Sequence, residues 1–170
     1  DLFAKAFIAT KWGEEFDIAS GVSKLDHSRK NYEASVERSL ARLGKIDLLY
    51  IHGATLEVLR DRSLVGAMMS SDIPHSGASI SKEDVLQGAL TEGLLRGFDV
   101  VQMPAWLFMQ RQDLAEKLAE QGKAIVLNSP IRWGKEKAPK DVYSELFRDP
   151  KASIVLTGTR HHLSETVGYV

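Results

Sequence analysis

The chain has 170 residues, of which 44% are hydrophobic and 26% charged, a composition typical of a globular protein with a sizeable core. Its formal net charge of −1 provides no broad attraction to nucleic acid or anionic lipid, and no apolar run approaches the roughly 20 residues that span a bilayer, so neither partner is expected. The absence of cysteine excludes disulfides, thiolate metal sites and cysteine nucleophiles, and it is compatible with a reducing cytoplasm, where we expect the protein to act.

Short, continuous apolar runs that are partly β-branched predict strands buried on both faces of a parallel sheet. In chain order these runs cover residues 6–10, 46–51, 64–69, 98–104, 124–128 and 153–157. The longer segments at 14–27 and 72–80 are predicted to be loops.

Helical patterns lie between the strands. The clearest covers residues 28–43, where Ser28 is a suitable N-cap and Gly44 a suitable stop. A second begins after Ser81, which forms a capping box with Asp84. The remaining predicted helices are a short one at 55–62 and three others at 111–120, 141–147 and 163–167.

The alternation of strands and helices predicts an α/β fold with a parallel sheet of about six βα units, arranged as one domain over residues 1–170. No segment rich in proline, glycine or serine divides it. Periodicity alone is compatible with an open, doubly wound sheet and with a closed barrel. Neither G-x-G-x-x-G after the first strand nor a P-loop motif is present in the sequence.

Two polar residues end two of the predicted strands. Lys11 follows the run at 6–10, and His52 follows the run at 46–51. Ligands and catalytic groups gather at the carboxyl ends of parallel strands, so we expect this cation and this imidazole to share one pocket.

Six ordered segments then become recognisable: IATKWG at 8–13, SVERSLARL at 35–43, IDLLYIH at 46–52, FDVVQMP at 98–104, LNSPI at 127–131 and VLTGTRHHL at 155–163. Together they resemble successive blocks of the aldo-keto reductase family. The resemblance implies a parallel (β/α)8 TIM barrel that binds NADPH without a Rossmann motif and reduces aldehydes or ketones. This chain would supply the third to the eighth βα units.

The resemblance also implies roles for individual residues. Lys11 and His52 match the catalytic lysine, which lowers the pKa of a tyrosine acid, and the catalytic histidine, which orients and polarises the substrate carbonyl. The tyrosine and an aspartate that pairs with the lysine belong to the first two units of the family and have no counterpart upstream of Lys11. Gln102 and Ser70 match residues that bind the carboxamide of nicotinamide.

The remaining expected cofactor contacts come from two loops. Asn128 occupies a position often held by an aromatic ring that stacks on nicotinamide, and Arg132 adds a cation to the loop beneath the pyrophosphate. Arg160, at a helix start, favours NADPH over NADH because its planar guanidinium group can form hydrogen bonds with two oxygens of the 2'-phosphate. The other contacts implied by the resemblance are Ser129, Pro130, Ile131, Gly158, Thr159 and Glu165.

Two further expectations concern tryptophans and metal. Trp12, Trp106 and Trp133 follow three predicted strands and are expected at the pocket mouth, with Trp12 beside the cofactor or substrate. No metal site is expected, because the adjacent His161 and His162 point about 100° apart on a helix.

The leading interpretation is therefore an NADPH-dependent carbonyl reductase acting on a small molecule. The alternative is a non-catalytic member that keeps the barrel and serves in nucleotide binding or regulation. Six of eight strands leave two unpaired edges, so we expect the natural protein to be longer at its amino end. We also expect additional residues near 53–63, because the segment between His52 and Leu64 is shorter than a crossover needs.

Overall fold

The computed structural model describes residues 5–157, which form a six-stranded parallel sheet, a two-stranded hairpin and eight helices. The strands are β1 (Ala9–Trp12), β2 (Glu14–Asp17), β3 (Val22–Leu25), β4 (Leu48–Ile51), β5 (His75–Ser79), β6 (Val100–Pro104), β7 (Ala124–Asn128) and β8 (Ala152–Val155). The helices are α1 (Arg29–Leu43), α2 (Leu56–Arg60), α3 (Arg62–Met69), α4 (Glu83–Thr91), α5 (Ala105–Gln110), α6 (Gln112–Glu120), α7 (Pro130–Trp133) and α8 (Pro139–Arg148).

The large sheet has the strand order β1-β4-β5-β6-β7-β8, with every neighbouring pair parallel. Helices alternate with these strands along the chain, so the predicted α/β fold is confirmed. The hairpin β2–β3 is inserted between β1 and α1 and pairs antiparallel with itself. Within residues 5–157, no helix is long and apolar enough to cross a bilayer.

The two faces of the large sheet are different. One face packs against the helices and forms the main core, to which alternate strand residues such as Leu49, Ile51, Val101 and Leu127 contribute. The other face, which we call the inner face, carries a smaller apolar cluster of Leu48, Tyr50, Val100 and Val126. Because side chains alternate with a period of two, β4, β6 and β7 each contribute residues to both clusters.

Helix α1 begins and ends where its sequence predicts. The Ser28 hydroxyl accepts a hydrogen bond from the backbone N–H of Asn31 at 3.2 Å, which caps the first turn. Gly44 ends the helix with φ 78°, a left-handed conformation that is easiest for glycine. Helices α2, α6 and α8 also match predicted helices to within a few residues.

The prediction of a strand at 64–69 is wrong, because these residues belong to α3. Leu64 and Met68 are buried one helical turn apart, while Gly66 between them is exposed. The Asp61 carboxylate accepts from the backbone N–H groups of Ser63 and Leu64 and caps the helix. A short apolar run fits a strand and a helix equally well until a cap of this kind decides between them.

The strand that follows β4 in the sheet is β5, and it lies within residues 72–80, which the sequence predicts to be a loop. Its crossover from β4 therefore covers residues 52–74 and contains both α2 and α3. That length is enough for a parallel connection, so the crossover gives no reason to expect additional residues near 53–63.

Three smaller differences concern strand and helix ends. β1 begins at Ala9 rather than at residue 6, so Lys11 lies within the strand and pairs with Tyr50. The capping box of Ser81 and Asp84 does not form, because Lys82 is the N-cap of α4 and no side chain caps it. The hairpin β2–β3 occupies part of a segment expected to be a loop. The helix predicted at 163–167 lies outside the described residues.

Candidate active site

The inner face becomes polar toward the carboxyl ends of its strands. In β5 and β6, Ser79 pairs with Gln102, and Gln102 pairs in turn with Val126 of β7. His52 lies two residues beyond Tyr50 and therefore belongs to the same face. Lys11, which pairs with Tyr50, lies one layer deeper. The structure thus brings the two predicted catalytic residues to the same edge as a serine and a glutamine.

Lys11 lies on the inner face of β1 and is partly buried. Its Nζ atom is 5.9 Å from the centroid of the Tyr50 ring, a distance at which an ammonium group interacts with the face of an aromatic ring. Burial lowers the pKa of Lys11 below its ordinary value, and the negative charge of Glu14 opposes part of that shift. An ammonium in this position provides a positive charge at the floor of the site.

His52 is held by contacts to its backbone and to its ring. Its backbone N–H donates to the carbonyl of Trp12 at 2.7 Å, and its own carbonyl accepts from Nε2 of His27 at 2.8 Å. Its ring nitrogen Nδ1 lies 2.6 Å from Oε2 of Glu14. Burial lowers the pKa of His52, the charge and hydrogen bond of Glu14 raise it, and the charge of Lys11 lowers it further.

Ser79 and Gln102 form a buried polar pair in the centre of the sheet. The Ser79 hydroxyl donates to Oε1 of Gln102 at 3.0 Å, and the two residues are only 7% and 1% exposed. A hydroxyl beside a primary amide can recognise another amide, because together they offer both donors and acceptors. The role of Gln102 in binding a carboxamide stays a prediction, and Ser79 is the side-chain partner that the fold gives it.

Ser70 does not take part in this site. It follows α3 as its C-cap, is exposed, and donates its backbone N–H to the carbonyl of Gly66 at 3.0 Å. The prediction for Ser70 is wrong because it depended on a strand at 64–69. Ser79, which the sequence patterns did not single out, ends β5 beside β6 instead, and Ile80 follows it. The signal that could have found it is the crossover length, since a strand at 75–79 leaves room for a helical connection.

The loop after β7 forms a second part of the candidate site. Asn128 ends the strand, and Ser129 adopts a left-handed conformation with φ 52° that turns the chain into α7 at Pro130. Such a conformation costs energy for a non-glycine residue and often occurs at functional sites. Ile131 and Arg132 are exposed on this helix.

A cavity of about 510 Å³ lies beside this loop. Arg132 provides its positive charge and Asn128 and Ser129 its polar groups, while Trp106 and Trp133 add aromatic surface. These two tryptophans therefore lie at the carboxyl edge, as predicted. The other residues that line the cavity are Ser81 and Pro104.

Trp12 lies elsewhere. It is 1% exposed and packs in the core on the helical side of the sheet, where its ring meets Tyr32 edge-on with centroids 5.1 Å apart. Its Nε1–H points to Sδ of Met68 at 3.4 Å. The expectation that Trp12 lies beside a cofactor or substrate is therefore wrong, because in β1 it alternates with Lys11 and faces the opposite side.

Four predicted cofactor contacts, Gly158, Thr159, Arg160 and Glu165, lie outside the described residues, as do His161 and His162. Among residues 5–157, no group of three or more histidine, aspartate or glutamate side chains is arranged to hold a metal ion.

Comparisons with protein-family models and with curated proteins found no match. Solved structures do match. A Pseudomonas aeruginosa protein described as an aldo-keto reductase superposes with a TM-score of 0.74 at 24% identity, over 95% of this chain and 65% of the other. Aldo-keto reductase AKR11C1 from Bacillus halodurans, in its holo form, gives 0.65 at 16% identity, over 98% and 66%.

The thermostable aldo-keto reductase Tm1743, in complex with the inhibitor epalrestat, gives a TM-score of 0.59 at 19% identity, over 83% of this chain and 61% of the other. The chain thus spans just under two thirds of the length of these three structures. At these identities the likeness concerns the fold, and the chain has an aldo-keto reductase-like fold.

Proposed function

We propose that this chain is part of an NADPH-dependent oxidoreductase that reduces aldehydes or ketones to alcohols. The observation that carries the proposal is the placement of Lys11, His52, Ser79 and Gln102 on the inner face, at or near the carboxyl edge of one parallel sheet. In α/β folds this edge is where substrates and cofactors meet catalytic side chains. The aldo-keto reductase-like fold supports the same function.

The donor and acceptor groups of the site fit a nicotinamide nucleotide. Ser79 and Gln102 would bind the carboxamide, since their side chains are buried and already aligned by one hydrogen bond. Asn128 would lie beside the nicotinamide, and Ser129 and Arg132 would contact the pyrophosphate along the adjoining cavity. Pro130 and Ile131 would support that loop. When bound, the reduced nicotinamide supplies a hydride to the carbonyl carbon.

The other end of the site would act on the carbonyl oxygen. His52 would donate a hydrogen bond to that oxygen and orient it, and the positive charge of Lys11 would stabilise negative charge that develops there. In the proposed mechanism Lys11 also lowers the pKa of a neighbouring acid, as it does in the family that the sequence resembles. The substrate is accordingly a small carbonyl compound.

The test of catalysis replaces the ammonium and keeps the side-chain length. Lys11→Met is expected to lower kcat/KM for aldehyde reduction at least about 100-fold while NADPH binding changes little, because the charge acts mainly on the reacting oxygen. Turnover is followed by the absorbance of NADPH with a panel of small aldehydes. The matched control is Lys24→Met, since Lys24 is exposed on the hairpin. Wild-type turnover retained in Lys11→Met would contradict the role of Lys11.

The test of the cofactor compares two arginines. Arg160→Ala is expected to weaken NADPH about tenfold or more and NADH very little, because only NADPH carries the 2'-phosphate that a charged hydrogen bond would hold. Arg132→Ala is expected to weaken both nucleotides equally, since both share the pyrophosphate. Fluorescence titration measures these affinities. Equal effects of Arg160→Ala on both nucleotides would remove Arg160 from the phosphate site.

Nucleotide binding without carbonyl turnover in the wild type would support the non-catalytic alternative.

A further inference from the structure

Two residues at the start and just after the end of the hairpin β2–β3, Glu14 and His27, contact His52. Gly13, with φ 102°, turns the chain from β1 directly into the hairpin, and its carbonyl accepts from the backbone N–H of Asp26 at 3.0 Å. A Cβ atom at Gly13 would lie 2.6 Å from the ring of His27. Because the two segments approach so closely, His27 donates to the backbone carbonyl of His52 and the Glu14 carboxylate contacts the imidazole ring of His52.

The contact between Glu14 and His52 determines where the hydrogen atoms of the imidazole lie. Oε2 of Glu14 is 2.6 Å from Nδ1 of His52. A carboxylate only accepts hydrogen bonds, so at this distance Nδ1 is the protonated nitrogen. In the neutral ring Nε2 then carries a lone pair and cannot donate to a carbonyl oxygen, whereas in the imidazolium both nitrogens donate.

The geometry points to Glu14 as a positioning residue that acts through His52: its carboxylate holds Nδ1–H, so that Nε2 is the nitrogen offered to the substrate and donates to a carbonyl only from the imidazolium. This inference rests on the proposed carbonyl reductase function and adds a residue to its site. It makes reduction and alcohol oxidation depend on pH in opposite directions, since the neutral ring accepts the hydrogen of an alcohol.

The charged groups around His52 come from three segments. Glu14 on β2 favours the imidazolium through its charge and its hydrogen bond, while Lys11 on β1 and His27, which follows β3, disfavour it. Burial of the ring also disfavours it. Loss of the Glu14 charge should therefore lower the pKa of His52 further, because it removes the interactions that oppose these effects.

The primary test is 15N NMR of the histidine rings in the full-length protein, which needs neither cofactor nor turnover. In the wild type, Nδ1 of His52 is expected to be protonated at neutral pH and Nε2 to titrate. In Glu14→Gln, the titration of His52 is expected to move to lower pH, and Glu14→Asp is expected to restore part of the shift. The matched control is Glu15→Gln, which removes the same charge from the next residue, whose partner is the exposed Lys24.

The kinetic test follows the pH profile of reduction. Glu14→Gln is expected to lower kcat/KM at neutral pH on the order of tenfold, by analogy with the loss of a carboxylate that orients a metal-binding histidine. The fall of activity at rising pH is expected to begin at lower pH in this variant. A protonated Nε2 in the neutral wild-type ring, or equal titrations of His52 in the Glu14 and Glu15 variants, would overturn the inference. If the wild type shows no reduction at all, the proposed function fails, and the NMR result still decides the contact.

Discussion

The Ser79 hydroxyl donates a hydrogen bond to Oε1 of Gln102 across the two central strands of the sheet, at 3.0 Å. Because Oε1 is occupied in this way, the hydrogen bond fixes the orientation of the amide group of Gln102. A preoriented amide loses less entropy when it binds another amide, which is the advantage of such a pair in a binding site.

Ser79→Ala is expected to weaken the binding of NADPH by about 1 kcal/mol, or roughly fivefold, because it removes one hydrogen bond and frees the amide of Gln102 to rotate. The affinity is measured by fluorescence titration. Ser70→Ala is the matched control and is expected to leave binding unchanged, since Ser70 is the exposed C-cap of α3. The opposite result, a loss of affinity in the Ser70 variant alone, would return the amide contact to Ser70.

Gly77→Ala is expected to destabilise the fold by about 1–3 kcal/mol, because the added methyl group overpacks the inner face. A Cβ atom at this position would lie 2.5 Å from two ring atoms of Tyr50 and 3.2 Å from the carbonyl oxygen of Val100. Urea denaturation gives the free energy of unfolding.

Gly66→Ala provides the matched control for the same chemical change. Gly66 lies in α3 with open space around it, so the methyl group is expected to stabilise the protein by about 0.5–1 kcal/mol through helix propensity. Equal effects of the two substitutions would show that contact with the Tyr50 ring does not limit position 77.

Tyr50 is expected to make the stability of the fold depend on pH in alkaline solution. Burial raises its pKa to about 12. Its phenol is protonated in both states below about pH 10, but between about pH 10 and the folded pKa only the unfolded chain ionises, so the free energy of unfolding falls as the pH rises.

Tyr50→Phe should remove this dependence, because phenylalanine keeps the ring and has no ionisable hydroxyl. Urea denaturation of both proteins at a series of alkaline pH values measures the difference between them. Parallel curves for wild type and variant would show that Tyr50 ionises equally in the folded and unfolded chains.

Elements with local signals could be predicted from the sequence. Helix α1 is an example, because the Ser28 cap and the Gly44 stop act within one turn of the helix and need no distant contact. Strands β6 and β7, which pair in parallel, also lie where short apolar runs predict buried strands. These segments also carry the resemblance to the aldo-keto reductases.

β5 could not be predicted in the same way. Its sequence His75–Ser79 lacks large apolar residues. At Gly77 the reason is the Tyr50 ring, which occupies the space that a side chain would need. This contact joins two strands, so a local sequence pattern does not reveal it. The apolar residues of α3 led to the prediction of a strand at 64–69 instead.

Local sequence patterns also predict only part of the candidate site. Lys11 and His52 could be predicted because each is a polar residue at or near the end of an apolar run. The contact of His52 with Glu14 could not, since it depends on a turn at Gly13 and on the hairpin that folds back from it. Spatial neighbours that are far apart in sequence emerge only from the fold.

The contact between Tyr50 and Gly77 has an evolutionary consequence. The ring of one residue occupies the volume that a side chain at the other would need, so the two positions cannot change independently. A lineage that replaces Tyr50 with a small residue is free to place a larger one at position 77, whereas a larger residue at 77 requires the ring to be lost first or at the same time. Positions 50 and 77 should therefore covary among related sequences.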